Sequence, residues 1–389
     1  MPKLWSSIRV AGVPTGYDWD PVAYKKSIRG IDKGVKLWLT RAGSSPLRLS
    51  LRDLRGGDLS ARFERTILQS ASRWIVLELR SVSEETFETL VAVDAPSLKK
   101  LYLSKSPRPR QLGWLSRSYA SPTISQLHRF LENSLVHDLR TDEYWGDCVD
   151  LFGEPTAHWS RLTIVHMAFN SDCSPPHEII EDVARLCPAL SSRVPFSHLR
   201  KFHLSFSVVD EWQFLPIVME NIDRVFVAIE APALTDLQLK VEGISSLGNY
   251  KDILPRLTSL TIIRRNDPHL DKAFRSGRLL SLFADVTVCP ALENLELVDF
   301  SREHAERILK IADARVSAHG SGTRLKTLKV SFFRKHMTKL RWTEAKDIQS
   351  ALASLQGRGL KVEWEVRVWT SSLDPVPKKS SSSGSEFDD

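Results

Sequence analysis

One short phrase, repeated along the chain, limits what this sequence can fold into. It reads apolar, two variable residues, apolar, one variable residue, apolar. Clear copies run from Leu98 to Leu103 (Leu-Lys-Lys-Leu-Tyr-Leu), Leu162 to Met167, Leu199 to Leu204, Leu234 to Leu239, Leu257 to Ile262, Leu292 to Leu297 and Leu325 to Val330. The stretch from Trp74 to Leu79 is an earlier member. Four copies have a proline two residues before their first leucine, at Pro96, Pro232, Pro255 and Pro290. Proline fixes φ and cannot continue a helix, so it marks the point where a helix ends and a strand begins. Cys187-Pro188-Ala189-Leu190 carries the same punctuation with no strand pattern after it.

The middle apolar residues of successive copies lie 23 to 37 residues apart, except for a step of 64 between Leu101 and Val165. That step must hold a degenerate copy or an insertion. The short steps have the length of a leucine-rich unit, and the long ones leave room for a fuller helix. Helical spacing is visible in the gaps, at Ile179, Ile180, Val183 and Leu186. Ser301 is placed to cap a helix through Ile308, Leu309 and Ala312 that stops near Gly320. Thr343 is placed to cap a helix from Glu344 to Leu355, with Gly357 as its stop. Each unit is strand, loop, helix. Alone it cannot cover its apolar face, whereas stacked units build one continuous core. The expected fold is α/β, a leucine-rich-repeat solenoid (horseshoe) with a parallel sheet on the concave face and helices outside.

Side chains along a strand alternate between its two faces. With the leucines turned inward, the residues between them turn outward. Tyr102, His166, His203, Gln238, Thr261, Glu296 and Lys329 then share one column on the concave face, a candidate partner-binding strip. The plainer reading of any one of them is ordinary strand-surface polarity.

With 42% hydrophobic and 26% charged residues, the 389-residue chain has the balance of a soluble, core-forming protein. It has no apolar run long enough for a membrane span, and its first residues lack a secretory apolar region, so an intracellular, cytoplasmic or nuclear protein without a membrane partner is expected. Four widely spaced cysteines read as reduced thiols. A net charge of +7 favours acidic partners. The charge is uneven. Lys99, Lys100, Lys105, Arg108, Arg110 and Arg117 lie in an acid-free stretch, a candidate basic patch for nucleic acid or an acidic protein. A second acid-free stretch runs from Arg315 to Thr343. No nucleic-acid motif accompanies either, so solvated faces are the preferred reading and a nucleic-acid partner is not expected.

Phosphate loops, dinucleotide fingerprints, nucleophile elbows and zinc-protease motifs are missing from the sequence. Cys173 and His177 form a close pair without a second pair at zinc spacing. Cys187 and Cys289 read as core cysteines. A non-enzymatic protein without catalytic residues, metal or cofactor is expected.

Residues 1–72 read as an N-terminal segment and cap leading into the first repeats, 73–370 as the irregular repeat region, and 371–389 as a disordered serine-rich tail. In the first segment Ile28, Ile31, Val35 and Trp38 recur at helical spacing, while Gly30 and Gly34 mark a small insertion. At the far end Val362, Trp364, Val366 and Val368 alternate with Glu363, Glu365 and Arg367 as an edge strand.

Two N-terminal phrases add a family likeness. They are Leu4-Trp5-Ser6-Ser7-Ile8-Arg9-Val10 and Lys36-Leu37-Trp38-Leu39-Thr40-Arg41-Ala42-Gly43-Ser44-Ser45-Pro46-Leu47-Arg48-Leu49-Ser50-Leu51. Together with the Pro-Ser-Leu-x-x-Leu-x-Leu rungs, they resemble the region after the F-box in the F-box/leucine-rich-repeat family of mushroom-forming (basidiomycete) fungi, over residues 2–370. The resemblance implies the substrate-recognition half of a Skp–cullin–F-box ubiquitin ligase, with a protein partner that other subunits ubiquitinate. In that family the F-box lies upstream of the Leu-Trp phrase. This sequence starts at Met1, so an F-box is not expected in it, no adaptor-contacting residue carries over, and a Skp-type adaptor is not an expected direct partner. The alternatives are a stand-alone leucine-rich-repeat scaffold or inhibitor with no ubiquitin link, and a nucleic-acid-associated protein using the basic patch.

Overall fold

Every leucine phrase forms a strand. A computed structural model describes residues 5–11, 21–52, 61–82, 84–104, 122–142, 157–170, 194–207, 229–240, 254–263, 280, 283–301, 304–317, 325–334 and 343–368. The strands are β1 (Ser7–Ala11), β2 (Leu47–Arg52), β3 (Trp74–Arg80), β4 (Lys100–Ser104), β5 (Asp138–Asp142), β6 (Ile164–Asn170), β7 (Val194–Pro195), β8 (Lys201–Ser207), β9 (Ile229–Glu230), β10 (Asp236–Lys240), β11 (Ser259–Ile263), β12 (Asn294–Ser301), β13 (Thr327–Arg334) and β14 (Lys361–Val368). All but β7 and β9 pair in parallel, in chain order, in one open 12-stranded sheet with β1 and β14 at its edges. β7 and β9 form a separate parallel pair. The architecture is α/β and compatible with a solenoid-like arrangement.

The proline punctuation has a local cause. Leu98 donates its backbone N–H to the Ala95 carbonyl at 3.0 Å, and Leu234 to Ala231 and Leu292 to Cys289 do the same at 3.0 Å. In each four-residue turn proline is second, where its fixed φ is already correct. Phe196 to Leu199 makes the same turn without proline, at 3.1 Å. After the turn, two successive N–H groups share one carbonyl of the rung before. His137 and Asp138 share Lys99, Thr163 and Ile164 share His137, and Arg200 and Lys201 share Thr163. The pattern continues through Thr235, Thr258 and Glu293 as onward donors and acceptors. The hydroxyls of Thr163, Thr235 and Thr258 donate to those shared carbonyls as well, at 3.1, 3.3 and 3.0 Å.

The described leucines of these phrases are buried in one continuous cluster with the helices. Each contributes roughly 1.5–3 kcal/mol. The helices are α1 (Pro21–Ala42), α2 (Ala61–Leu68), α3 (Glu84–Val91), α4 (Pro122–Glu132), α5 (Ala305–Ser317) and α6 (Thr343–Gly357). They bury stripes at helical spacing, such as Leu127, Phe130 and Leu131 on α4 and Ile308, Ile311, Ala312 and Val316 on α5. None of the described helices is long and apolar enough to cross a membrane.

Several expectations change. The 64-residue step contains β5, a degenerate copy reading Val136-His-Asp-Leu139-Arg-Thr141. Thr141 is buried in place of the final leucine, and its hydroxyl reaches the His166 carbonyl at 3.4 Å. Gly30 and Gly34 mark no insertion, because α1 runs through both, and a Cβ at either would meet nothing within 4 Å. Ser301 ends β12 instead of capping a helix, since α5 begins at Ala305. α6 does end at Gly357, the expected stop, and the turn after it carries Gly359, whose φ of 89° glycine adopts freely. β14 is the expected edge strand. Ile179 to Leu190 and the 371–389 tail lie outside the described residues.

The two N-terminal phrases meet in space. The Trp38 indole N–H donates to the Trp5 carbonyl, the two rings meet edge-on at 4.8 Å, and the Arg41 guanidinium lies 4.7 Å from the Trp5 ring centre. These contacts fix α1 against the start of the sheet.

One buried group makes stability depend on pH. His158 is 2% exposed, with its ring 5.4 Å from that of His128. Burial, helped by the charges of His128 and Arg161, pushes its imidazole down to about 3. The unfolded chain therefore takes up a proton between pH ~6.5 and that value which the folded chain refuses. Stability from this group is intact above pH ~6.5 and falls as pH drops, by about 1.4 kcal/mol per pH unit. Urea unfolding at neutral and mildly acidic pH checks this. His158→Asn should flatten the loss, and an equal loss in both proteins would refute the assignment.

Candidate functional site

The outward column runs across the whole sheet. Tyr102, His166, His203, Gln238, Thr261, Glu296 and Lys329 occupy corresponding positions on β4, β6, β8, β10, β11, β12 and β13. Register adds five members that the expected strip did not include: Arg9, Ser50, Glu78, Arg140 and Glu363 on β1, β2, β3, β5 and β14. Parallel pairing that keeps register at these positions produces the column, and from β5 to β13 the strands of the sheet enter through the same shared-carbonyl link.

Around Tyr102 the column is tightly organised. Asp138 on β5 is fully buried, although the sequence pattern placed no strand there. Arg140 donates to its two oxygens at 3.0 and 3.3 Å, the Tyr102 hydroxyl lies 3.3 Å from it, and the Lys100 ammonium 3.4 Å. The Arg140 guanidinium also sits 4.9 Å from the Tyr102 ring centre. Burial and the Asp138 charge raise the Tyr102 phenol above its usual range, with Arg140 opposing. This arrangement fixes an aromatic ring and a guanidinium side by side, both still partly open to solvent.

Next come two imidazoles, His166 and His203, meeting edge-on at 5.6 Å. Burial lowers the His203 value; Asp236 opposes, while His166, Arg140 and Lys201 add to the lowering. His203 is therefore neutral at pH 7. Toward β14, Thr261 donates to Glu296 at 3.3 Å, and Lys329 pairs with Glu363 at 3.2 Å. The hydrogen bond to Glu363, with the charges of Glu363 and Glu296, raises Lys329. β12 bulges between Leu297 and Phe300, with Asp299 at a φ of 62° accepting from Ser331 at 3.3 Å. Beside the bulge is an open groove of about 310 Å³, lined among others by Glu296, Val298, Lys329, Glu363 and Trp364.

The two basic stretches fare differently. Of the first, Lys100 is turned to Asp138 and Lys99 precedes β4, while Lys105, Arg108, Arg110 and Arg117 lie outside the described residues. Of the second, Arg324, Lys335, Lys339 and Arg341 lie outside the described residues, and the described bases do not share one surface. Arg315 is buried, Lys326 pairs with Glu293 at 2.7 Å and Lys329 with Glu363. Neighbouring strands supply the acids that the linear sequence lacks. Cys289 is buried and free, its thiol pushed up to about 12 by burial despite Arg315. The Cys173–His177 pair and Cys187 lie outside the described residues.

What the face offers is a series of polar, aromatic and charged groups on a rigid support, spaced by the strand separation of about 4.8 Å. Compared with family models and with curated proteins, the chain matches none.

Proposed function

We propose that the chain is a leucine-rich-repeat solenoid, a horseshoe with its parallel sheet on the concave face and helices outside, that holds a protein partner and performs no catalysis itself. The observation supporting this most is the unbroken outward column from Arg9 to Glu363. Repeat proteins bind through such a surface because side chains from many rungs reach one partner together. Tyr102 and Arg140 supply the residue types that most often anchor protein contacts. The ubiquitin link rests on the N-terminal resemblance alone. On that reading the chain is the substrate-recognition half of a Skp–cullin–F-box type ligase, and other subunits transfer ubiquitin.

Alanine at His203 and Lys329 together should weaken a captured protein partner by about tenfold, as expected for a contact worth ~1.4 kcal/mol, and leave the melting temperature unchanged. Titration of the purified partner against both proteins reads the effect. Equal affinities would rule out the strip. For the ligase link, depletion of this chain from its cells should lengthen the partner's half-life; an unaltered half-life removes that part of the reading.

A further inference from the structure

The first three strands carry an unusual set of outward charges. Arg9 lies on β1, Arg48 and Arg52 on β2, and Arg80 on β3. Against these four arginines the same positions hold one carboxylate, Glu78. Arg52 and Arg80 stand directly opposite each other in the register. Like charges so placed weaken strand pairing. Glu78 relieves part of this, accepting from Arg52 at 2.9 Å and pairing with Arg80. Arg9 and Arg48 are exposed, and their side chains make no hydrogen bond or ion pair among the described residues.

We infer that the outward face of β1–β3 is the docking site for a carboxylate-rich peptide segment of the protein partner. The inference rests on the reading of the strand face as the partner-holding surface and assigns one end of it. Neighbouring strands are about 4.8 Å apart, and along the strand direction Arg48, Arg9 (level with Ser50) and the Arg52–Arg80 pair stand at three successive outward levels about 6.6 Å apart. An extended peptide brings alternate side chains to one face at nearly that second spacing. Each guanidinium can then take a carboxylate through two parallel N–H donors. A peptide fits better than a nucleic acid for two reasons. Glu78 sits among the arginines, where it repels a continuous phosphate chain but leaves room for discrete carboxylates. No outward position on β1–β3 is aromatic, so bases have nothing to stack on.

The test uses the full chain and a short fluorescein-labelled peptide of alternating Glu and Ser, read by anisotropy. The parent protein should bind it, with affinity falling as salt is raised. Arg9→Glu with Arg48→Glu should weaken binding by about tenfold or more. Neither side chain holds the fold together, so the melting curve should not move. Lys361→Glu, at the opposite edge, should leave peptide affinity within about twofold of the parent. Three results would overturn the assignment: no binding by the parent, equal binding by the double variant, or tighter binding of oligothymidylate than of the peptide. The peptide reads only the β1–β3 end, whereas His203→Ala with Lys329→Ala reads the middle and far end. Either inference can therefore fail without the other.

Discussion

Arg315→Ala should lose about 3–5 kcal/mol of stability, among the largest losses from a single change in this chain. Arg315 sits in the buried stripe of α5, where the helical period calls for an apolar residue. Its side chain runs inward and donates to four carbonyls of the segment before β12. The distances are 2.7 Å to Phe283, 3.1 Å to Cys289 and 3.3 Å to Asp285, with Val288 also engaged. Burial lowers the guanidinium from its usual value, with Cys289 and Asp285 opposing, and it remains charged. Truncation leaves those carbonyls facing a cavity. Arg315→Lys keeps the charge but cannot fork to four acceptors, so it should recover only part of the loss. Urea unfolding measures both. A loss below about 1 kcal/mol in the alanine variant would show that the network is not structural. Thiol labelling offers a second readout, because the buried Cys289 sulfur should react with iodoacetamide far faster once the arginine is gone.

Trp74→Ala should cost a comparable ~3–5 kcal/mol, for a different reason. Trp74 opens β3, fully buried and in register with Leu47 on β2. Its indole N–H donates to the Ser70 hydroxyl at 2.9 Å, which in turn donates to the Ile67 carbonyl in the last turn of α2 at 2.6 Å. The residue thus fills core volume and ties the end of a helix to the start of a strand. Trp74→Phe keeps most of the volume and breaks the relay, so its cost should be nearer ~1 kcal/mol. If the two variants unfold at the same urea concentration, the hydrogen bond outweighs the packing and the assignment of energies is wrong.

The strands of this fold are legible in the sequence because the repeat enforces two signals at once. The leucine spacing states which side chains go inward, and the prolines state where each strand begins. Tyr102, His203 and Lys329 could be placed in one column from that alone. β5 escaped because Thr141 replaces the last leucine and no proline precedes Val136. Its loss hid Asp138 and Arg140, which organise the centre of the column. Arg315 was also misread. As one letter in an acid-free stretch it looks like surface charge, and only the facing carbonyls of residues 283–289 explain its burial. The same limit applies to Lys326 and Lys329, whose acidic partners come from strands some 30 residues away. Charge pairing across rungs is a property of register, which composition along the chain does not contain.

The carbonyl shared between successive rungs has a mechanical consequence. Within the 12-stranded sheet every strand is bonded only to the sheet strands before and after it in chain order, and β1 and β14 stand at opposite edges. Tension applied between the termini would load the hydrogen bonds of one strand pair at a time, peeling the sheet from an edge in small steps instead of shearing many bonds together. Such a fold would lengthen gradually under low force, giving up its outermost strands first while the Tyr102–Arg140 centre stayed intact.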